Sequence, residues 1–225
     1  MKRNLNSIFA LIVLASFTLA STQSLAQTTA MVAETGIATG EYLNLLLPVN
    51  NSSQNYFVGT QNITVNGSSF LAFCVDPYQY SSGTPALYTV SNNLSSLNTT
   101  QEAQVSNLFS NSYASTTGSA PNSAAFQLAL WKLIADPNGN LATGAVQAID
   151  SKNATVLAAG AMISSAQHGS GSTQYSFNIY QNPTRQDFLV TVSAVPEPET
   201  YALLLAGLGL MGTVVRRRSQ LRATV

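Results

Sequence analysis

The chain has 225 residues, of which 45% are hydrophobic and only 8% charged, and nine Lys and Arg balance nine Asp and Glu. Between its two ends, Lys132, Lys152 and Arg185 face Glu34, Glu41, Asp76, Glu102, Asp136, Asp150 and Asp187, a net charge of −4 that excludes a basic nucleic-acid surface. Cys74 is the one cysteine and His168 the one histidine, so the composition excludes an internal disulfide and a metal-ligand cluster.

The N-terminus reads as a secretory signal over residues 1–26. Lys2 and Arg3 are followed by an apolar run, Ile8 to Leu19, and by the small-x-small site Ser24-Leu25-Ala26, which leaves Gln27 as the new terminus. Export through the secretion translocase is therefore expected. An uncleaved anchor is the alternative, but the run is short for a permanent span.

Strand-like runs follow at Tyr42 to Val49, Tyr56 to Val65, Phe70 to Asp76 and Leu87 to Val90, with Asn66-Gly67 as a hairpin signal. Cys74 falls within the third run, just before Asp76-Pro77. A lone thiol in an oxidising compartment has no partner and is normally a liability. A chemical use for it, or deep burial, is expected.

The middle reads as helical. Thr99-x-x-Glu102 has the form of a capping box ahead of Val105, Leu108 and Phe109. A second helix is expected over Ala124 to Ala135, with Asn122 or Ser123 as N-cap and Asp136-Pro137-Asn138-Gly139 as its stop. On it, Gln127 and Trp131 are four residues apart and share a face. A third, alanine-rich helix is expected at about Ala154 to Ala166, followed by His168 in a loop. Tyr175-Phe177-Ile179 and Phe188-Val190-Val192 then alternate as strands.

These elements predict an α+β domain over residues 27–194, a β-sandwich or barrel-like lobe with a helical insertion subdomain, the two strand groups pairing across the insertion. Residues 195–225 form a separate C-terminal unit. Val195-Pro196-Glu197-Pro198-Glu199 precedes an apolar segment, Tyr201 to Val215, and then Arg216, Arg217 and Arg218. That segment spans about 22 Å as a helix, short for a bilayer core of ~30 Å. It is expected to insert weakly, the arginines stopping it on the cytoplasmic side. A tail anchor is the alternative. The order of motif, span and basic cluster resembles the PEP-CTERM sorting signal of Gram-negative bacteria with an extracellular matrix. The resemblance implies recognition of Pro196, Glu197 and Pro198 by an exosortase, a transient inner-membrane anchor, and release of the tail at the cell surface.

Cys74 and Gln127 suggest chemistry together. A thiolate held against a carboxamide can displace ammonia to form an internal thioester. Such an activated acyl group couples to an amine or hydroxyl and must be kept from water, and Phe73, Phe126 and Trp131 supply an apolar shell. At Phe73-Cys74-Val75 and Gln127-Leu128-Ala129-Leu130-Trp131 the chain resembles the thioester (TQXA-type) domains of bacterial surface adhesins. By that resemblance Cys74 gives the thiol, Gln127 the acyl carbon, and Ala129 and Trp131 the packing beside it. Phe126 stands where that pattern usually has threonine.

The resulting expectation is a surface or matrix protein that captures a polymer or protein covalently and once, and so is not an enzyme and needs no cofactor. The alternative is a non-covalent structural or polysaccharide-binding matrix protein in which Cys74 is inert core. A Cys74–His168 hydrolase lacks any marked orienting partner. No phosphate-cradling glycine loop is present, and the sequons, such as Asn62 and Asn153, are expected by chance in a Ser/Thr/Asn-rich chain.

Overall fold

A computed structural model describes residues 28–92, 97–169 and 175–194, together with residues 204, 206–208 and 211, which are helical. The signal segment and its cleavage site, Pro196, Glu197, Pro198 and Arg216 to Arg218 lie outside the described residues. Among the described residues, no helix is long and apolar enough to cross a membrane.

The first strand, β1 (Thr29–Leu47), begins well before the Tyr42 expected from the sequence. It pairs antiparallel with β2 (Ser52–Val65) over nearly its whole length, with register shifts between Glu34 and Gly36 and between Ile37 and Gly40. The shifts explain the missed half, because a bulge interrupts the two-residue alternation by which a strand is recognised. Gly40 and Gly59 face each other there, and a Cβ on either would strike the backbone of the other strand. Asn66 and Gly67, at φ 49° and 85°, make the expected tight turn into β3 (Ser68–Cys74).

After β4 (Ala86–Ser91) the chain turns helical. The first helix, α1 (Thr99–Ser112), is capped by Asn98, whose side chain accepts from Gln101 N–H while Gln101 Oε1 accepts from Asn98 N–H. The capping box is therefore one residue earlier than Thr99 and Glu102, because Asn98 outcompetes threonine for the cap. A 3₁₀ turn (Tyr113–Thr116) leads to α2 (Ala120–Ala135), which Ser119 caps ahead of Pro121 in its first turn. This replaces Asn122 or Ser123 as the start and adds a turn. A short strand β5 (Gln147–Ala148) precedes α3 (Ala154–His168), which Asn153 caps. The chain then returns through β6 (Tyr175–Asn182) and β7 (Arg185–Ala194).

The described residues form a mixed α and β fold around a large antiparallel sheet of order β2-β3-β7-β6-β4-β1-β5, and β1 also pairs with β2. The hydrogen-bonded circuit β1-β2-β3-β7-β6-β4 thus returns to β1. As expected, the early and late strands pair across the helices: Cys74 lies opposite Phe188, and Val90 opposite Tyr180.

The helices are an insertion in sequence but share one hydrophobic core with the sheet. From Ser123 to Leu133 every residue of α2 is buried. Such a helix is central, with no solvent face, rather than amphipathic. Aromatic rings join the layers: Phe73 of β3 meets Phe126 of α2 at 4.7 Å between centroids, and Phe126 meets Phe109 of α1 at 4.9 Å. Phe109 in turn meets Phe177 of β6 at 4.5 Å.

Candidate functional site

β3 ends at Cys74. One edge of the strand continues into β7, where Val75 N–H donates to Asp187 O at 3.0 Å. In an antiparallel strand the N–H and C=O of a single residue point to the same side, alternating along the chain. Those of Cys74 point away from β7, where β2 no longer pairs, its last partner being Ala72. Gln127 fills that gap. Its Oε1 accepts from Cys74 N–H at 2.8 Å and its Nε2 donates to Cys74 O at 2.7 Å. The carboxamide acts as a surrogate strand and satisfies two buried backbone groups.

Gln127 is fully buried and Cys74 nearly so. Phe73 and Phe126 meet beside them with their rings tilted by 46°, and Ala129, roughly 200° round the helix from Gln127, is also fully buried. Burial pushes the Cys74 thiol well above the usual thiol range, and the carboxylates of Glu34 and Asp76 push the same way. The sulfur is therefore held as the thiol at neutral pH.

Two cavities flank the end of β3. The first, about 200 Å³, opens over Cys74 and is lined by Glu34, Gln61, Tyr56, Tyr80 and Trp131 among others. The loop after β3 folds back to wall it, with Gln186 N–H donating to Tyr80 O at 3.1 Å and Glu34 N–H to Ser82 O at 3.3 Å. The second, about 160 Å³, holds Asp76, Asp187 and Tyr78 against Val105 and Ile134. Burial, with the Asp76 carboxylate adding to it, pushes Asp187 up to about 6. Among the described residues no cluster suited to a metal is present.

The structure brings Cys74 and Gln127 together, with Phe73, Phe126 and Trp131 near them. His168 is not in a loop: it ends α3, exposed, with Nδ1 2.9 Å from Ser164 O, and it lines neither cavity beside Cys74. Glu34 and Gln61, which line the cleft, and the buried Lys132 carry no local sequence pattern that marks them as site residues. Lys132 is completely buried and gives its ammonium to Asp136 Oδ2 at 2.9 Å and to the carbonyls of Thr143 and Val146. The spacing Lys132-x-x-x-Asp136 signals the ion pair alone.

Residues 194–218 match the family described as the PEP-CTERM protein-sorting motif. The fold is similar to the N-terminal thioester domain of a surface protein from Clostridium perfringens, at 13% identity and a TM-score of 0.43, covering 73% of this chain and 100% of that one. It is also similar to the N-terminal domain of the Streptococcus pyogenes pilus tip adhesin Cpa, at 11% identity and a TM-score of 0.44, covering 72% and 98%. No curated protein matches the sequence.

Proposed function

We propose that this is an exported surface protein whose Cys74 and Gln127 condense into an internal thioester that captures a partner covalently. The single observation that carries the reading is the reciprocal pair of hydrogen bonds between the Gln127 carboxamide and the Cys74 backbone. These bonds hold the acyl donor beside the residue that bears the thiol. A strand side chain leaves the plane of the peptide groups, so in this reading the thiol would reach the carbonyl carbon from a face of the amide, the direction attack requires.

Each bond has a part in the reaction. Cys74 N–H points at Oε1, the oxygen on which negative charge develops in the tetrahedral intermediate. Cys74 O holds Nε2, the leaving group. The C–S bond forms, the C–N bond breaks, and the thiol proton leaves with the nitrogen as ammonia. Fixed geometry supplies the drive that a high thiol pKa withholds. A partner nucleophile then displaces the sulfur and restores the thiol. Each chain reacts once, so the protein is a reagent rather than an enzyme, and it needs no cofactor.

The C-terminal motif marks an exported, surface-directed protein and implies processing by an exosortase. In this reading the tail is a transient inner-membrane anchor, and its removal leaves the domain at the surface or in the extracellular matrix. A second reading is a non-covalent matrix protein, favoured by the same two bonds, which satisfy a buried glutamine without any reaction. Thiol titration separates the two: a thioester chain shows no free thiol until methylamine opens it, whereas an inert Cys74 titrates on unfolding with or without the amine.

A further inference from the structure

Two residues that line the cleft over Cys74 each carry a buried polar atom that no protein group satisfies, Gln61 Oε1 and Trp131 Nε1. Gln61 is 9% exposed and Trp131 5%. A buried donor or acceptor left unpaired costs about 1–3 kcal/mol, so each invites a ligand. One is an acceptor only and the other a donor only. An amine attacks only as the neutral base, and its one lone pair is then committed to the carbonyl carbon, which leaves the indole N–H unmet. A hydroxyl both donates and accepts, and meets both.

The rest of the lining agrees. Glu34 brings a carboxylate into the same cleft, and Tyr56, Phe57 and Tyr80 give it aromatic walls of the kind that pack on the C–H faces of a sugar ring. No cationic residue lines the cleft, so nothing there would hold an anionic acceptor.

Resting on the thioester reading, we propose that this cleft seats the acceptor and that the acceptor is a hydroxyl of a neutral, sugar-like polymer, donating to Gln61 Oε1 and accepting from Trp131 Nε1–H. In the reacting state the hydroxyl turns its proton from Gln61 Oε1 to the Glu34 carboxylate, which takes it as the hydroxyl oxygen attacks the thioester carbonyl carbon. The C–O bond forms, the C–S bond breaks, and Glu34 returns the proton to the departing sulfur as the Cys74 thiol. The product is an ester, cleaved by hydroxylamine.

The test follows intact mass in the purified full chain incubated in parallel with methylamine and with methyl glucoside, a non-reducing sugar that can join only through a hydroxyl. The chain should begin one ammonia short, gain the full mass of the glucoside, and lose it to hydroxylamine. Replacing the indole donor in Trp131→Phe, which keeps an aromatic wall, should slow glucoside coupling by about tenfold relative to methylamine. Glu34→Gln should also slow it. Coupling to methylamine with none to the glucoside overturns the hydroxyl assignment and leaves the thioester standing, as does an unchanged ratio of the two rates in both variants. A chain that is not one ammonia short overturns the thioester and this proposal with it.

Discussion

Gln127 and Cys74 meet through two hydrogen bonds, 2.8 Å from Cys74 N–H to Oε1 and 2.7 Å from Nε2 to Cys74 O, across 53 positions of sequence. The pairing ties the end of a sheet strand to the middle of a wholly buried helix. It makes the same two residues the closure of the fold and the reactants of the proposed chemistry.

Stability should reveal whether the link is covalent. A cross-link closing a loop of this length contributes about 4 kcal/mol on the chain-entropy account. Cys74→Ala removes that link and should lower stability to denaturant by about that amount. Truncating an unlinked core cysteine would cost only about 1 kcal/mol. Gln127→Ala should cost roughly 1–3 kcal/mol more, since Cys74 N–H is then buried without a partner. Opening the link in the unmutated protein with methylamine should reproduce most of the Cys74→Ala loss.

Lys132 organises the loop after α2. Its ammonium is spent on Asp136 and on the Thr143 and Val146 carbonyls, while Asp136 Oδ2 accepts from Ala145 and Val146 N–H. Burial alone would raise the Asp136 pKa, but the hydrogen bonds from Lys132 and these backbone groups outweigh it and hold the carboxyl below its usual range. The carboxylate therefore adds stability that is present above an unfolded pKa of about 3.9 and fades as pH falls through the folded value. Lys132→Ala should destabilise the fold by roughly 3–5 kcal/mol and expose residues 136–146 to proteolysis, whereas Lys132→Met should cost less. Denaturant titration and limited proteolysis of both variants decide it.

Asp187 acts in the opposite sense. Its folded pKa of about 6 lies above that of the unfolded chain, near 3.9. The native state then binds the extra proton between these values, so stability contributed by this group falls as pH rises from about 4 to about 6. Asp187→Asn keeps an acceptor for Asn182 N–H, which Asp187 Oδ1 now meets at 2.7 Å. The variant should melt higher than the parent at pH 7 and equally at pH 4, as thermal unfolding at the two pH values would show.

The sorting motif can be tested in the host. Replacing Glu197 and Pro198 by alanine should leave the tail on the protein and the chain in the membrane fraction. Mass spectrometry of the C-terminal peptide reads the difference directly.

The features readable from sequence were those that depend on local pattern. The alternation at Phe188-Val190 and the Asn66-Gly67 turn each declared an element. The pairing of Cys74 with Gln127 came from residue chemistry. The missed features are long-range: the first half of β1 hides behind bulges at Gly36 and Gly40, and Lys132 looks like surface charge until Thr143 and Val146 fold over it. Gln61 and Glu34 are ordinary polar strand residues in sequence. Only the closure of β1 on β2 and of the Tyr80 loop on Gln186 brings them into one cleft with the cysteine.

The intact mass of the purified full chain, taken beside Cys74→Ala, tests the central claim most directly. The account predicts that the parent is short by one ammonia, that methylamine restores the mass and adds its own carbon unit, and that Cys74→Ala shows neither change. A parent chain at its full unmodified mass, indifferent to methylamine, would contradict it.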